Sequence, residues 1–177
     1  NIKSLDQLRT LVKEIKKIFK DEKFPILIDA EGGKISRLKR IMDLSVFSQT
    51  YFAKLYKKNK KSFYTNYEIF INSVSNILNY VGININTVPV LDVRGAKSSN
   101  IIGDRSYSSV AKNVSKIGDY CIKEFSKRKI GTVMKHIPGH GLTKVDSHKK
   151  TPIVKKKQNI YTKTILFHLK INKLFLL

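Results

Sequence analysis

The sequence has few of the residues that mark specialised classes of protein. It contains a single cysteine, Cys121, which excludes an internal disulfide framework and fits a reducing compartment. No run of apolar residues is long enough to cross a bilayer, so we expect no membrane partner. No signal peptide is visible, although the sequence begins with Asn1 rather than Met. The 177 residues, of which 41% are apolar and 27% charged, are typical of one soluble globular domain.

Acidic residues are also scarce. The chain has 13 Asp and Glu against 35 Lys and Arg, which gives a formal net charge of +22. Such a balance can indicate a nucleic-acid-binding protein. The cations are mostly Lys spread over the whole length, and Lys, Asn and Ile are the products of A/T-rich codons. Arg, which reads bases and phosphates best, is sparse. A basic nucleic-acid-binding protein therefore stays as an alternative, but we expect no nucleic-acid partner.

Hydrophobic patterning predicts alternating helices and strands. Helices are predicted over residues 3–20, 46–80 with a break near 57–61, and 108–127, and strands over residues 24–28, 84–92 and 130–134. Such alternation predicts parallel strands. The three strands run into Asp29, Asp92 and Lys135-His136, and the carboxyl edge of a parallel sheet is where active sites are built. Between them, 103–106 is predicted to be a loop in which Ser106 caps the next helix.

The C-terminal part of the sequence differs in character. Residues 149–177 contain no Asp or Glu, and their apolar residues follow no clear period. We therefore assign residues 1–152 to one domain. We interpret 153–177 as an atypical tail, either frameshifted or disordered, with a genuine last helix as the alternative.

Three of the four histidines fall within residues 136–148. His136 and His140 have the spacing of a helical zinc pair, but Pro138 and the glycines around it disfavour a helix. A zinc site completed by Asp146 or His148 stays open as an alternative, since ligand type alone is weak support.

A strand end followed by a loop explains this segment better. Lys135 and His136 would then lie at the rim of the sheet, where a cation and an imidazole can bind hydroxyl oxygens. Asp146 and His148 are two residues apart, and a carboxylate beside an imidazole orients it and favours its protonated, proton-donating form. The alternative is that both are solvated loop residues.

Several segments in the same order resemble one family. They are IDAEGGKISR at 28–37, VPVLDV at 88–93, IGDRSYS at 102–108, KHIPGHG at 135–141, DSH at 146–148 and Pro152. Together they resemble the bacterial family 3 glycoside hydrolases of the β-N-acetylglucosaminidase type, over about residues 1–152. Ala30 and Lys34 are mild departures from the pattern of that family.

The resemblance implies a (β/α)₈ barrel with its site on the C-terminal face, here a partial barrel that is incomplete at both ends. It also implies cleavage of terminal non-reducing β-linked N-acetylglucosamine, with retention of configuration through a covalent glycosyl-enzyme. The expected partner is a muropeptide-like, N-acetylglucosamine-containing saccharide, and the expected setting is peptidoglycan recycling in the cytoplasm. No metal or cofactor is expected, and the sequence leaves the oligomeric state open.

By matching position, the resemblance also assigns roles to residues. His148, oriented by Asp146, is the implied general acid/base. The implied sugar-binding residues are Asp29, Arg37, Arg105, Lys135 and His136. The family nucleophile is an Asp in a Ser-Asp-Asp-Leu type of segment, which does not occur in these 177 residues. The polypeptide by itself is therefore expected to be inactive.

Two other carbohydrate functions stay open at this point. A non-catalytic carbohydrate-binding remnant would use the same binding residues without chemistry. A family 3 β-glucosidase or a glycoside phosphorylase is a related enzyme, and the DSH segment favours the N-acetylglucosaminidase branch over the glucosidases. Whether water or phosphate is the acceptor is left open.

Overall fold

The computed structural model describes residues 2–95, 102–137 and 139–140. Its elements in chain order are α1 (Leu5–Phe19), β1 (Leu27–Ile28), β2 (Ala30–Gly32), β3 (Ile35–Ser36), α2 (Gln49–Lys58), α3 (Lys60–Val81), β4 (Ile85–Asn86), a 3₁₀ turn (Gly103–Arg105), α4 (Ala111–Lys127) and β5 (Gly131–Thr132). Among these described residues, no helix has the length and apolar character needed to cross a membrane. The predicted tail at 153–177 lies outside them.

The central feature is a parallel sheet in the order β1-β4-β5. Ile28 pairs with Asn86 and Asn86 pairs with Thr132, so the three strands follow one another in register. Helices connect them, which is the arrangement required when parallel strands are neighbours. The predicted α/β class with parallel strands is confirmed, and the carboxyl ends of all three strands lie on one edge.

Capping groups set the ends of the helices. The Ser4 hydroxyl accepts a hydrogen bond from the Gln7 N–H and so caps the start of α1. Asn59 ends α2 and its side chain caps the first turn of α3, which explains the predicted break within 46–80. Gly82 ends α3 in the left-handed conformation, with φ of 85°, where glycine carries no steric penalty.

The hydrophobic core lies between the sheet and helices α3 and α4. Helix α4 packs on β5 and on α3, and α3 also packs on α1 and α2. Each fully buried large side chain contributes roughly 1.5–3 kcal/mol of transfer free energy. The largest fully buried apolar residues are Phe52, Phe63, Phe125, Leu38, Ile71, Leu78, Ile102, Ile117 and Ile130.

Three local features differ from the sequence predictions. Ser106 does not cap α4, because Val110 occupies the N-cap position; the Ser106 hydroxyl instead donates to the Asp92 carbonyl oxygen at 2.6 Å. The preceding residues form a 3₁₀ turn rather than an irregular loop. The antiparallel pair β2–β3 is not predicted at all. Gly32 ends β2 with φ of 88° and Gly33 begins the turn with φ of 61°, conformations that the Gly-Gly dipeptide allows.

Candidate functional site

Three strand ends bring Asp29, Thr87 and Lys135 together. The Lys135 ammonium donates to Asp29 Oδ1 and to Thr87 Oγ1, each at 2.8 Å. The Thr87 hydroxyl also donates a short hydrogen bond to Asp29 Oδ1. Burial raises the pKa of the Asp29 carboxyl, but the hydrogen bonds from Lys135 and Thr87 outweigh it, so the pKa is lowered overall. Asp29 is therefore held as a carboxylate next to a cation.

The backbone fixes the position of Lys135. Its N–H donates to the Pro89 carbonyl at 3.1 Å, and its carbonyl accepts from the Leu91 N–H at 2.6 Å. These bonds continue the pairing of β4 with β5 as a bridge between Val90 and Lys135. The sequence predicts that Lys135 lies at the rim of the sheet. Its ammonium is held there by its neighbours, and its side chain is only 16% exposed.

The buried carboxylate of Glu31 links two of the predicted binding residues. Arg105 donates to it through Nε at 2.9 Å and Nη2 at 2.8 Å, which is a bidentate pair. The Lys135 Nζ lies 2.6 Å from Glu31 Oε1. No role for Glu31 is predicted from the sequence, although it is the third residue of the Asp-x-Glu-Gly-Gly segment. Spacing alone could not show that its side chain turns inward.

A second buried carboxylate, Asp92, orients His136. The His136 Nδ1 lies 2.6 Å from Asp92 Oδ2, and the backbone N–H groups of His136 and His140 also donate to Asp92. Burial raises the pKa of the Asp92 carboxyl, but these hydrogen bonds, above all that of the His136 ring, lower it overall. With Nδ1 donating to Asp92, the other ring nitrogen faces Arg105 Nη2 at 3.5 Å.

Arg37 lies at the outer end of the group. Its Nη2 is 3.8 Å from Asp29 Oδ2 and its side chain is 71% exposed, so this ion pair is weak. The backbone N–H of Arg37 donates to the Asp29 carbonyl at 2.8 Å and closes the hairpin there. The Arg37 side chain is therefore the most exposed member of the group.

The five residues predicted to bind the sugar all belong to one connected network, in which Glu31 and Asp92 link them. The network runs through Arg37, Asp29, Lys135, Glu31, Arg105, His136 and Asp92. Three cations face three carboxylates, so the network is close to neutral when the imidazole is neutral. It offers N–H and O–H donors beside carboxylate acceptors, which suits an uncharged polyhydroxylated ligand better than a polyanion.

Other predictions lie beyond what the structure describes. Asp146 and His148 fall outside the described residues, so their predicted acid/base role stays a prediction. Within residues 2–95, 102–137 and 139–140, no three His, Cys, Asp or Glu side chains are grouped to hold a metal ion. The rings of His136 and His140 lie 4.9 Å apart in an edge-to-face contact.

Comparisons with known proteins agree on one family. A family model for the glycosyl hydrolase family 3 N terminal domain matches residues 1–170. The chain is 33% identical over 129 residues to beta-hexosaminidase A from Pseudoalteromonas piscicida, covering 73% of this chain and 21% of that protein. It is 28% identical over 148 residues to a beta-hexosaminidase from Hydrogenovibrio crunogenus, covering 84% and 41%. The chain thus spans less than half the length of these curated relatives.

Solved structures show the same fold. The crystal structure of native NagZ from Neisseria gonorrhoeae superposes with a TM-score of 0.83 at 24% identity, covering 97% of this chain and 49% of that one. The same protein in complex with N-trifluoroacetyl-D-glucosamine also gives a TM-score of 0.83. This likeness confirms the prediction of a partial (β/α) barrel.

Proposed function

The chain belongs to glycosyl hydrolase family 3, and we propose that it is the part of a β-N-acetylhexosaminidase that binds the terminal N-acetylglucosamine of the substrate. Both relatives described above are named beta-hexosaminidases, which supports this activity. A structural neighbour that binds an N-acylated glucosamine supports the sugar. The proposal extends to a muropeptide-like saccharide, peptidoglycan recycling and a cytoplasmic location.

The observation that supports this function most directly is the network at the carboxyl edge of the sheet. Asp29, Arg105 and the Lys135-His136 pair come from three separated parts of the chain, yet ion pairs and hydrogen bonds join them. Sugar hydroxyls need donors and acceptors fixed in place, and this network supplies both. In this proposal Asp29 accepts from sugar hydroxyls, while the three nitrogen-bearing side chains donate to sugar oxygens.

The proposed chemistry uses His148 as general acid/base, oriented by Asp146. An imidazolium beside a carboxylate can donate a proton to the glycosidic oxygen and later take one from water. Most glycosidases use two carboxylates instead. The test is His148→Ala in a full-length protein that contains this domain: cleavage should slow most for aglycones that are poor leaving groups. Equal slowing for good and poor leaving groups would exclude the acid role.

We propose further that residues 1–177 by themselves bind the sugar without hydrolysing it. A retaining glycosidase of this type needs a carboxylate nucleophile, and the segment that supplies it in the family does not occur in them. A non-catalytic carbohydrate-binding role is therefore the second candidate. Turnover of a chromogenic N-acetylglucosaminide by the purified, monodisperse polypeptide would contradict this part of the proposal.

Binding is tested by titrating N-acetylglucosamine into the polypeptide and following NMR chemical shifts. Lys135→Met should weaken binding roughly ten-fold or more, because it removes the cation that holds the Asp29 carboxylate, the proposed acceptor of sugar hydroxyls, in place. Lys123→Met is the matched control, since Lys123 pairs with Asp119 on the outer face of α4 and its side chain is 61% exposed. Absence of saturable binding by the folded wild-type chain, or equal weakening by both variants, would refute the proposal.

A further inference from the structure

The side chain of Asn86 makes an unusual pair of contacts in the centre of the sheet. Asn86 lies in β4, the middle strand, and is fully buried. Its Oδ1 accepts from the Ala30 N–H at 3.1 Å, and its Nδ2 donates to the Ala30 carbonyl at 3.1 Å. The backbone groups of Ala30 fix which end of the amide is which. A side-chain amide thus takes the place of a neighbouring strand for this one residue.

The residue held in this way lies between two carboxylates of the candidate site. Ala30 is flanked by Asp29 and Glu31, so Asn86 binds one peptide group on each side of Ala30. Asp29 holds Lys135, while Glu31 holds both Lys135 and Arg105. A displacement of the Ala30 backbone would therefore move both carboxylates and, with them, both cations.

From this geometry we infer that Asn86 is a positioning residue for the sugar site, holding Asp29 and Glu31 in place without contacting the ligand. The inference rests on the proposed sugar-binding function. The planar amide of Asn86 offers a donor and an acceptor side by side, which both groups of Ala30 require. An aspartate at position 86 would keep the acceptor but place a negative charge next to the Ala30 carbonyl oxygen. An alanine there would remove both hydrogen bonds. Because Asn86 and Ala30 are fully buried, water cannot replace the lost partners.

The residue just before the same strand offers a matched control. Asn84 also clamps backbone with its amide: Oδ1 accepts from the Ile26 N–H at 2.8 Å, and Nδ2 donates to the carbonyls of Lys23 and Phe24. These contacts lie before β1, at the opposite end of the strand from the candidate site. Loss of the Asn84 clamp should therefore destabilise the chain without moving the carboxylates.

The experiment compares Asn86→Ala and Asn86→Asp with Asn84→Ala and Asn84→Asp in the full 177-residue chain. N-acetylglucosamine affinity, the melting temperature and the NMR resonance of the Arg105 Nε–H are measured for each variant. Both pairs should lower the melting temperature. We expect only the Asn86 variants to weaken binding roughly ten-fold and to shift or broaden the Arg105 resonance, because Arg105 loses its fixed carboxylate partner.

Equal effects of the two asparagines on affinity and on the Arg105 resonance would overturn the inference, as would an unchanged resonance in the Asn86 variants. If wild type binds no sugar, the proposed function fails, but the resonance still tests the positioning role. If the Asn86 variants do not fold, hydrogen exchange of the wild-type Ala30 amide decides. Protection as strong as that of the Thr87 amide in the adjoining β-ladder supports the clamp, and fast exchange refutes it.

Discussion

Replacing Glu31 by glutamine tests how much a buried carboxylate that pairs with two cations contributes to the stability of the fold. The carboxylate is fully buried and receives two hydrogen bonds from Arg105, while the Lys135 ammonium lies 2.6 Å away. Glu31→Gln keeps the shape of the side chain but leaves the Arg105 charge, itself only 12% exposed, without its bidentate partner. Breaking a buried ion pair in this way costs about 3–5 kcal/mol.

We expect the lower end of that range, because Lys135 keeps its contact with Asp29. A loss of about 3 kcal/mol, with a urea dependence of about 2 kcal/mol per molar, lowers the unfolding midpoint by about 1.5 M. Circular dichroism during urea titration measures it. Glu68→Gln is the control, because Glu68 also pairs with an arginine, Arg128, but through a single contact of 3.3 Å and with its side chain 55% exposed. That change should cost less than about 1 kcal/mol. Equal midpoints for the two variants would show that Glu31 does not hold the network.

Three further outcomes are expected. Burial raises the pKa of the Cys121 thiol to about 12, so a thiol reagent should label the native chain roughly 100-fold more slowly than the urea-unfolded chain. Equal labelling rates would show that Cys121 lies at the surface. The pKa of Asp29 is lowered in the folded chain, so its carboxylate stabilises the fold above about pH 4 and this stability is lost on acidification. Asp29→Asn should therefore make the free energy of unfolding depend less on pH in the acid range, and an unchanged pH dependence would contradict the lowered pKa. Gly32→Ala should lower the free energy of unfolding by at least about 1–3 kcal/mol, because φ is 88° and a Cβ would collide with the Phe47 carbonyl oxygen. Gly103→Ala is the control: its Cβ would have open space around it, so it should lower the free energy of unfolding less in the same urea titration.

The sequence by itself determined the order and type of the main elements. Helical periodicity identified α1, and short apolar runs identified the three parallel strands, because a strand buried on both faces needs a continuous apolar stretch. Chain order also placed Asp29, Asp92 and Lys135 at strand ends, and parallel strands end on a common edge. Motifs shared with a known family then singled out Arg37, Arg105 and His136, which the structure brings to the same place.

Only the tertiary structure decided how these side chains are held. Glu31, Thr87 and Asn86 act on residues that are distant in sequence, and no local pattern shows which way a side chain points once the strands have paired. A Ser beside a turn predicts a helix cap, yet Ser106 bonds to Asp92 because the folded chain brings that carbonyl within reach. Hydrophobic periodicity indicates which residues of a single helix or strand are buried. The partners of a buried polar group depend on which elements become neighbours, and packing decides that.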